Sequence, residues 1–125
     1  MSTVKYTRDH EWLQRAADDT VTLGITDYAQ EQLGDIVYVE LPAVGSHIDA
    51  SANLVVIESV KAVGEVKLSA TGTVVAVNER LADVPELVNS AAESDGWLVR
   101  VKLDQLSALD DLLDAAAYQA FLATL

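Results

Sequence analysis

Leu54-Val-Val-Ile-Glu-Ser-Val-Lys61-Ala-Val-Gly-Glu-Val-Lys-Leu68 sets one lysine between two apolar, β-branched runs. No lysine or arginine occurs between Arg15 and Lys61, so this cation is isolated in a stretch built for burial. Burying an unpaired ammonium is costly, and Lys61 must therefore project out of the core. Strand-forming residues on both sides predict a hairpin over about residues 54–69 with Lys61 at its tip. The usual Asn-Gly or Asp-Gly turn pair is absent, and Gly64 is the first hint of where the chain reverses.

Outward from the hairpin, Val21-Thr-Leu-Gly-Ile25 alternates as a half-buried strand does. Thr26 is placed to cap a short helix that runs to about Leu33 and ends at Gly34. Asp35 to Leu41 is the next strand, stopped by Pro42, and the loop to Asn53 has room for a short paired segment near Gly45–Asp49. Lys5 to Leu13 reads as a first strand carrying His10-Glu11-Trp12. Downstream, Thr71 to Asn78 is a strand with a bulge or bend expected at Gly72, and Pro85-Glu-Leu-Val sits in a short helical piece. Gly96 to Leu103 alternates clearly, with Trp97, Val99, Val101 and Leu103 expected on one face and Arg100 and Lys102 in water. Ser107-Ala-Leu-Asp110 resembles a capping box, and Leu109, Leu112, Leu113, Ala116, Ala120 and Phe121 follow at helical spacing. Asp114 is expected to divide this tail into two short helices over about 107–124. The whole reads as a mainly β sandwich of short strands with helical ends.

Composition narrows the function. The chain of 125 residues suits one domain with a real core. Twenty acidic and eight basic residues leave a net charge of −12, unsuited to nucleic acid or to anionic membranes and suited to partners with basic faces. With no cysteine, thiol catalysis and cysteine-based metal sites are excluded, and any redox chemistry must come from an attached or bound group. His10 and His47 lack metal-ligand spacing. No signal peptide or transit sequence is legible at the N-terminus, and a cytoplasmic protein is expected. Ser59, His10 and Asp9 could be picked out as a catalytic set, but nothing in their spacing specifies that geometry.

The Glu58-Ser59-Val60-Lys61-Ala62 segment resembles the lipoyl-lysine hairpin of the lipoyl/biotinyl carriers, and most closely that of the H-protein family of the glycine cleavage system. The resemblance extends through His10-Glu11-Trp12, Leu23-Gly24-Ile25-Thr26, Gly34 to Pro42, Gly45, Gly72, Val77-Asn78, Pro85 to Asn89 and Gly96-Trp97. The family often has glycine where Ser51 stands, and commonly Ser-Asp after the lysine where this chain has Gly64-Glu65. The resemblance implies a barrel-sandwich hybrid of two antiparallel sheets. It also implies lipoic acid in amide linkage on Lys61, with Glu11, Glu65 and Ala62 as candidates for docking the arm, and no catalytic residues.

Partners follow by the same resemblance. They are a pyridoxal-phosphate glycine decarboxylase, a tetrahydrofolate-dependent aminomethyltransferase, a flavin-containing dihydrolipoamide dehydrogenase and the enzymes that attach lipoate or octanoate. The expected carrier is a monomer. Two neighbouring readings are a lipoyl domain of a 2-oxoacid dehydrogenase complex and a relay of lipoyl groups to other proteins. The first normally lacks the His-Glu-Trp start and the Gly-Trp strand with its helical tail. A biotinyl carrier normally places methionine on both sides of its lysine, where this chain has Val60 and Ala62.

Overall fold

The computed structural model describes residues 4–50, 53–68 and 70–125. Ser51 and the last position of the expected 54–69 hairpin lie outside the described residues. The run from Lys5 to Leu13 is two strands, not one: β1 (Val4–Tyr6) and β2 (Glu11–Arg15), antiparallel with Tyr6 opposite Trp12. The chain reverses because Thr7 Oγ1 accepts hydrogen bonds from the Asp9 and Glu11 amides, and the His10 amide donates to the Thr7 carbonyl. Such local bonds from threonine compete with a strand ladder. They leave His10 in the left-handed region at φ 68, uncommon for a residue with a side chain.

β3 (Val21–Ile25) pairs with β2 so that Trp12 lies opposite Gly24. A Cβ at Gly24 would stand 2.6 Å from the indole ring, so only glycine lets Trp12 lie across the sheet. The indole N–H then reaches the Ala92 carbonyl at 2.9 Å. Thr26 caps α1 (Asp27–Leu33) as the sequence predicts, accepting from the Ala29 amide, and Gly34 ends it at φ 83. β4 (Ile36–Glu40), β5 (His47–Ile48), β6 (Asn53–Ser59), β7 (Val63–Lys67) and β8 (Gly72–Val77) follow. Two four-residue helices, α2 (Arg80–Asp83) and α3 (Leu87–Ser90), precede β9 (Val99–Leu103).

The strands form two antiparallel sheets, ordered β1-β2-β3-β9-β8-β5 and β4-β6-β7. They face each other as an open sandwich. Leu23, Val74, Val99 and Val101 of the larger sheet and Val55 and Ile57 of the smaller one are fully buried. Each such side chain contributes roughly 1.5–3 kcal/mol relative to exposure, which fixes the faces of both sheets.

Three local expectations need correction. Gly72 marks no bulge: a Cβ there would meet the Lys102 carbonyl at 2.5 Å, so the glycine serves close approach to β9, and the register shift falls between Val74 and Ala76. Trp97 does not share the core face of β9. Asn78 Nδ2 donates to the Asp95 and Trp97 carbonyls, regular pairing starts only at Val99, and Leu98 is buried in place of Trp97. Trp97 instead stacks under the Arg100 guanidinium, 5.2 Å from its ring centroid. In the tail, Ser107 caps nothing and the first piece is only a 3₁₀ turn, Leu106–Leu109. Tyr6 and Leu113 exchange backbone hydrogen bonds at 2.7 and 2.9 Å, which holds that part of the tail extended. Asp114 does divide the tail, capping α4 (Ala115–Leu122) through Oδ1 and the Ala117 amide at 2.7 Å.

Candidate functional site

The β6–β7 ladder runs to the pair Glu58–Val63 and leaves Val60, Lys61 and Ala62 as the tip. Gly64 is not in the turn but inside β7, opposite Ile57. Ser59 does what a turn glycine was expected to do. Its amide donates to the Ala62 carbonyl at 2.8 Å, and its Oγ accepts from the Lys61 and Ala62 amides at 3.3 and 3.0 Å. The Val60 amide donates to the Asp35 carbonyl at 3.0 Å, tying the tip to the α1–β4 junction. Val60 is 70% exposed, and Lys61 stands beside it in solvent, in no ion pair among the described residues.

The lysine stem lies over a prepared floor. A Cβ on Gly34 would stand 3.0 Å from Lys61 Cε and 3.6 Å from Nζ, so the missing side chain is what the stem occupies. Asn89 fixes this floor: its Nδ2 donates to the Gly34 carbonyl and to Gln30 Oε1 at 2.9 Å each, and its Oδ1 accepts from the Ile36 amide at 2.8 Å. Both ends of the turn between α1 and β4 are thereby held by one side chain.

Next to the floor, between α1 and β7, runs a cleft of about 210 Å³. Ala29, Leu33, Ile25 and Ile57 give it apolar walls, and Asp9, His10, Glu11 and Glu65 line it as well. Leu33 approaches Gly64 so closely that a Cβ there would sit 3.1 Å from its Cδ2, which explains the glycine inside a strand. Glu65 is exposed on β7. Glu11, by contrast, is buried at 4% exposed. One carboxylate oxygen accepts from Thr7 Oγ1 at 3.3 Å and the other from the Lys67 amide at 3.1 Å, so Glu11 links β2 to β7. Burial pushes its pKa up from 4.5 to about 7 against the opposing pull of the Lys67 amide.

Glu11 and Glu65 thus share one cleft, which Lys61 adjoins from the tip. Ala62 stays on the exposed tip and does not line it. Sequence reasoning missed Gly34 as the floor, Ser59 as the turn closer, Thr7 as a partner of Glu11 and Asn89 as the brace. Ser59, two residues before the lysine, carried a usable signal, since serine often closes turns through its hydroxyl. No His/Cys/Asp/Glu cluster among the described residues could hold a metal ion.

An open two-sheet sandwich that raises one exposed lysine on a hairpin, beside a cleft with apolar walls, is the architecture of a lipoyl/biotinyl-type carrier. Comparison with known proteins narrows this. The family model described as glycine cleavage H-protein matches residues 4–125. The chain is 50% identical over 119 residues to a glycine cleavage system H protein of Salmonella arizonae, covering 95% of this chain and 92% of that one. It is 51% identical over 117 residues to one from Chromohalobacter salexigens, at 94% and 89% coverage. The crystal structure of an H protein from Mycobacterium marinum superimposes with a TM-score of 0.86 at 35% identity, covering 97% of each chain. The chain belongs to the glycine cleavage H-protein family, the non-catalytic lipoyl carriers of that system.

Proposed function

We propose that Lys61 is the residue of this chain that bears the lipoyl group, that the cleft from Leu33 to Glu11 receives the loaded end of the arm, and that residues 1–125 act as one carrier domain in the cytoplasm. The carrier shuttles the aminomethyl group of glycine between the decarboxylase and the aminomethyltransferase of the glycine cleavage system, and dihydrolipoamide dehydrogenase returns it to its starting state. The chemistry supplied by the attached group is that of a disulfide, reduced on loading and reoxidised afterwards.

The residues present suit such a group. Lysine gives an unbranched stem and an amine able to form an amide; acylation removes its charge, so the arm can lie on apolar surface. Gly34 leaves space under the stem, and Leu33 and Ala29 continue that surface into the cleft. At the far end Glu11 and Glu65 line the cleft, where they would face a cargo that carries an amine. Glu11 is poised near neutrality, so a docked ammonium would draw it into its charged form. Ala62, next to the amide, leaves the tip uncrowded for the attaching enzymes. The net charge of −12 suits basic docking faces on all these partners.

The observation that carries the assignment is the Lys61 stem lying on Gly34 at the entrance to the Glu11 cleft. Its test is peptide mapping of the protein isolated from cells that make lipoate. Lipoyl amide on Lys61 alone supports it; the amide on Lys5, Lys67 or Lys102 overturns it.

A further inference from the structure

The left-handed turn that presents Glu11 also presents His10 to the same cleft, and α4 reaches it from the far end of the chain. His10 Nδ1 lies 2.8 Å from the Tyr118 hydroxyl, which in turn lies 2.9 Å from Thr26 Oγ1. Thr26 Oγ1 already accepts from the Ala29 amide as the cap of α1. Thr26 is 1% exposed, and among the described residues the Tyr118 oxygen is the one acceptor within reach of its hydroxyl proton. A buried hydroxyl proton left without an acceptor is costly, so Thr26 donates to Tyr118. Tyr118 then donates its own proton to His10 Nδ1. That leaves His10 neutral, with its proton on Nε2.

We infer that Tyr118 is a positioning residue for the arm cleft: through this chain of hydrogen bonds the C-terminal helix holds His10 as the neutral Nε2–H tautomer. The inference rests on the proposed docking of an amine cargo in the cleft. A protonated His10 would put a cation beside that cargo, whereas the neutral ring leaves the cleft with Asp9 and Glu65, and Glu11 once the docked ammonium ionises it, as its charged groups. Burial works in the same direction, lowering the histidine pKa, while Asp9 opposes it. The other rings packed around this histidine are Tyr28 of α1 and Tyr118 and Phe121 of α4. Glu93, whose charge acts on Tyr118, has its carboxylate accept from the Asp27 amide. Tyr118 also stacks on Tyr6 with centroids 4.6 Å apart, so Tyr118→Phe keeps the packing and removes only the hydroxyl.

The experiment begins with the unmodified chain, and so does not depend on where the arm is attached. Ring nitrogen-15 shifts of His10 should give a single Nε2–H tautomer in the wild type. In Tyr118→Phe they should give mixed tautomers and titration at higher pH. Losing one net hydrogen bond to the neutral ring should raise the protonated fraction about fivefold at a given pH above the midpoint. With the loaded carrier, ammonia and formaldehyde should then escape faster from Tyr118→Phe near pH 6, and at the wild-type rate well above the titration midpoint. His10→Asn tolerates the left-handed backbone and carries no titratable ring, so it should release cargo without this pH dependence. A wild-type ring protonated on Nδ1, or a tautomer untouched by Tyr118→Phe, overturns the hydrogen-bond chain. A shifted tautomer with unchanged release at pH 6 overturns the role in the cleft. A protein found to carry its lipoyl group elsewhere fails the docking reading, while the ring shifts still decide the tautomer.

Discussion

The two ends of the cleft place their charges by opposite means. Lys61 is held in water on a three-residue tip whose bonds are nearly all local, from Ser59 and Asp35. Glu11 is buried, and its two oxygens are bound by residues four and fifty-six positions away in the chain. The exposed end depends on a reactive amine being accessible above the floor at Gly34. The buried end depends on a local environment that alters a carboxyl group's proton affinity. A carrier needs both, because the arm must leave one end freely and be recognised at the other.

The sharpest break in this comparison is Lys61→Arg. Arginine keeps the charge and the length but cannot form the amide, so lipoylation should vanish entirely and glycine–bicarbonate exchange with the decarboxylase should fall to background. The melting temperature should hardly move, because the tip is exposed. A variant that still gains the mass of a lipoyl group would show that the reactive end lies elsewhere.

Glu11→Gln tests the buried end. The native carboxyl holds its proton more tightly than an unfolded glutamate, with a pKa near 7 instead of 4.5. The favourable contribution is therefore complete below about pH 4.5 and is lost as pH rises through 7, on the order of 3 kcal/mol at most. Urea unfolding of the wild type should show this decline superposed on other titrations, and the glutamine variant should lack that component. In loaded carrier the same variant should release ammonia and formaldehyde faster. A pH profile of stability identical in the two proteins would mean that Glu11 ionises like a surface acid.

Ser59→Ala probes the exposed end with a smaller expected cost. Removing the hydroxyl frees the Lys61 and Ala62 amides to water, so denaturant stability should fall by about 1 kcal/mol or less. Amide exchange at Ala62 should quicken while exchange in β2 stays the same. Faster exchange spreading into β6 would show that the tip and the strands open together.

The same difference between the ends separates what is legible in the sequence from what is not. The Lys61 hairpin, the Thr26 cap, the end of α1 at Gly34 and the division at Asp114 are written in neighbouring residues, and all appear where the sequence puts them. What failed depended mostly on contacts distant in sequence. Asn78 took Trp97 off the core face and the exchange between Tyr6 and Leu113 unwound the start of the tail, whereas the Thr7 turn that split an expected strand is local. Glu11 was picked as a site residue by resemblance, but its burial required β7 to fall across β2, which no local pattern announces. The brace at Asn89 was equally invisible, since one asparagine in a short helix says nothing about a turn more than fifty residues earlier.

That brace has a consequence for how the protein is made. Synthesis runs from the N-terminus, so Gly34 and Lys61 leave the ribosome before Asn89 does. Until then the Gly34 carbonyl and the Ile36 amide lack the partner that holds the floor, and contacts between distant segments form late in folding. The lysine is therefore present in the nascent chain before the surface that presents it is complete. A chain stalled just short of Asn89 should be a poor acceptor for lipoate ligase, and efficient modification of that stalled chain would show that the ligase reads the hairpin alone. The brace thus ties the floor beneath Lys61 to a segment that is synthesised after the lysine itself.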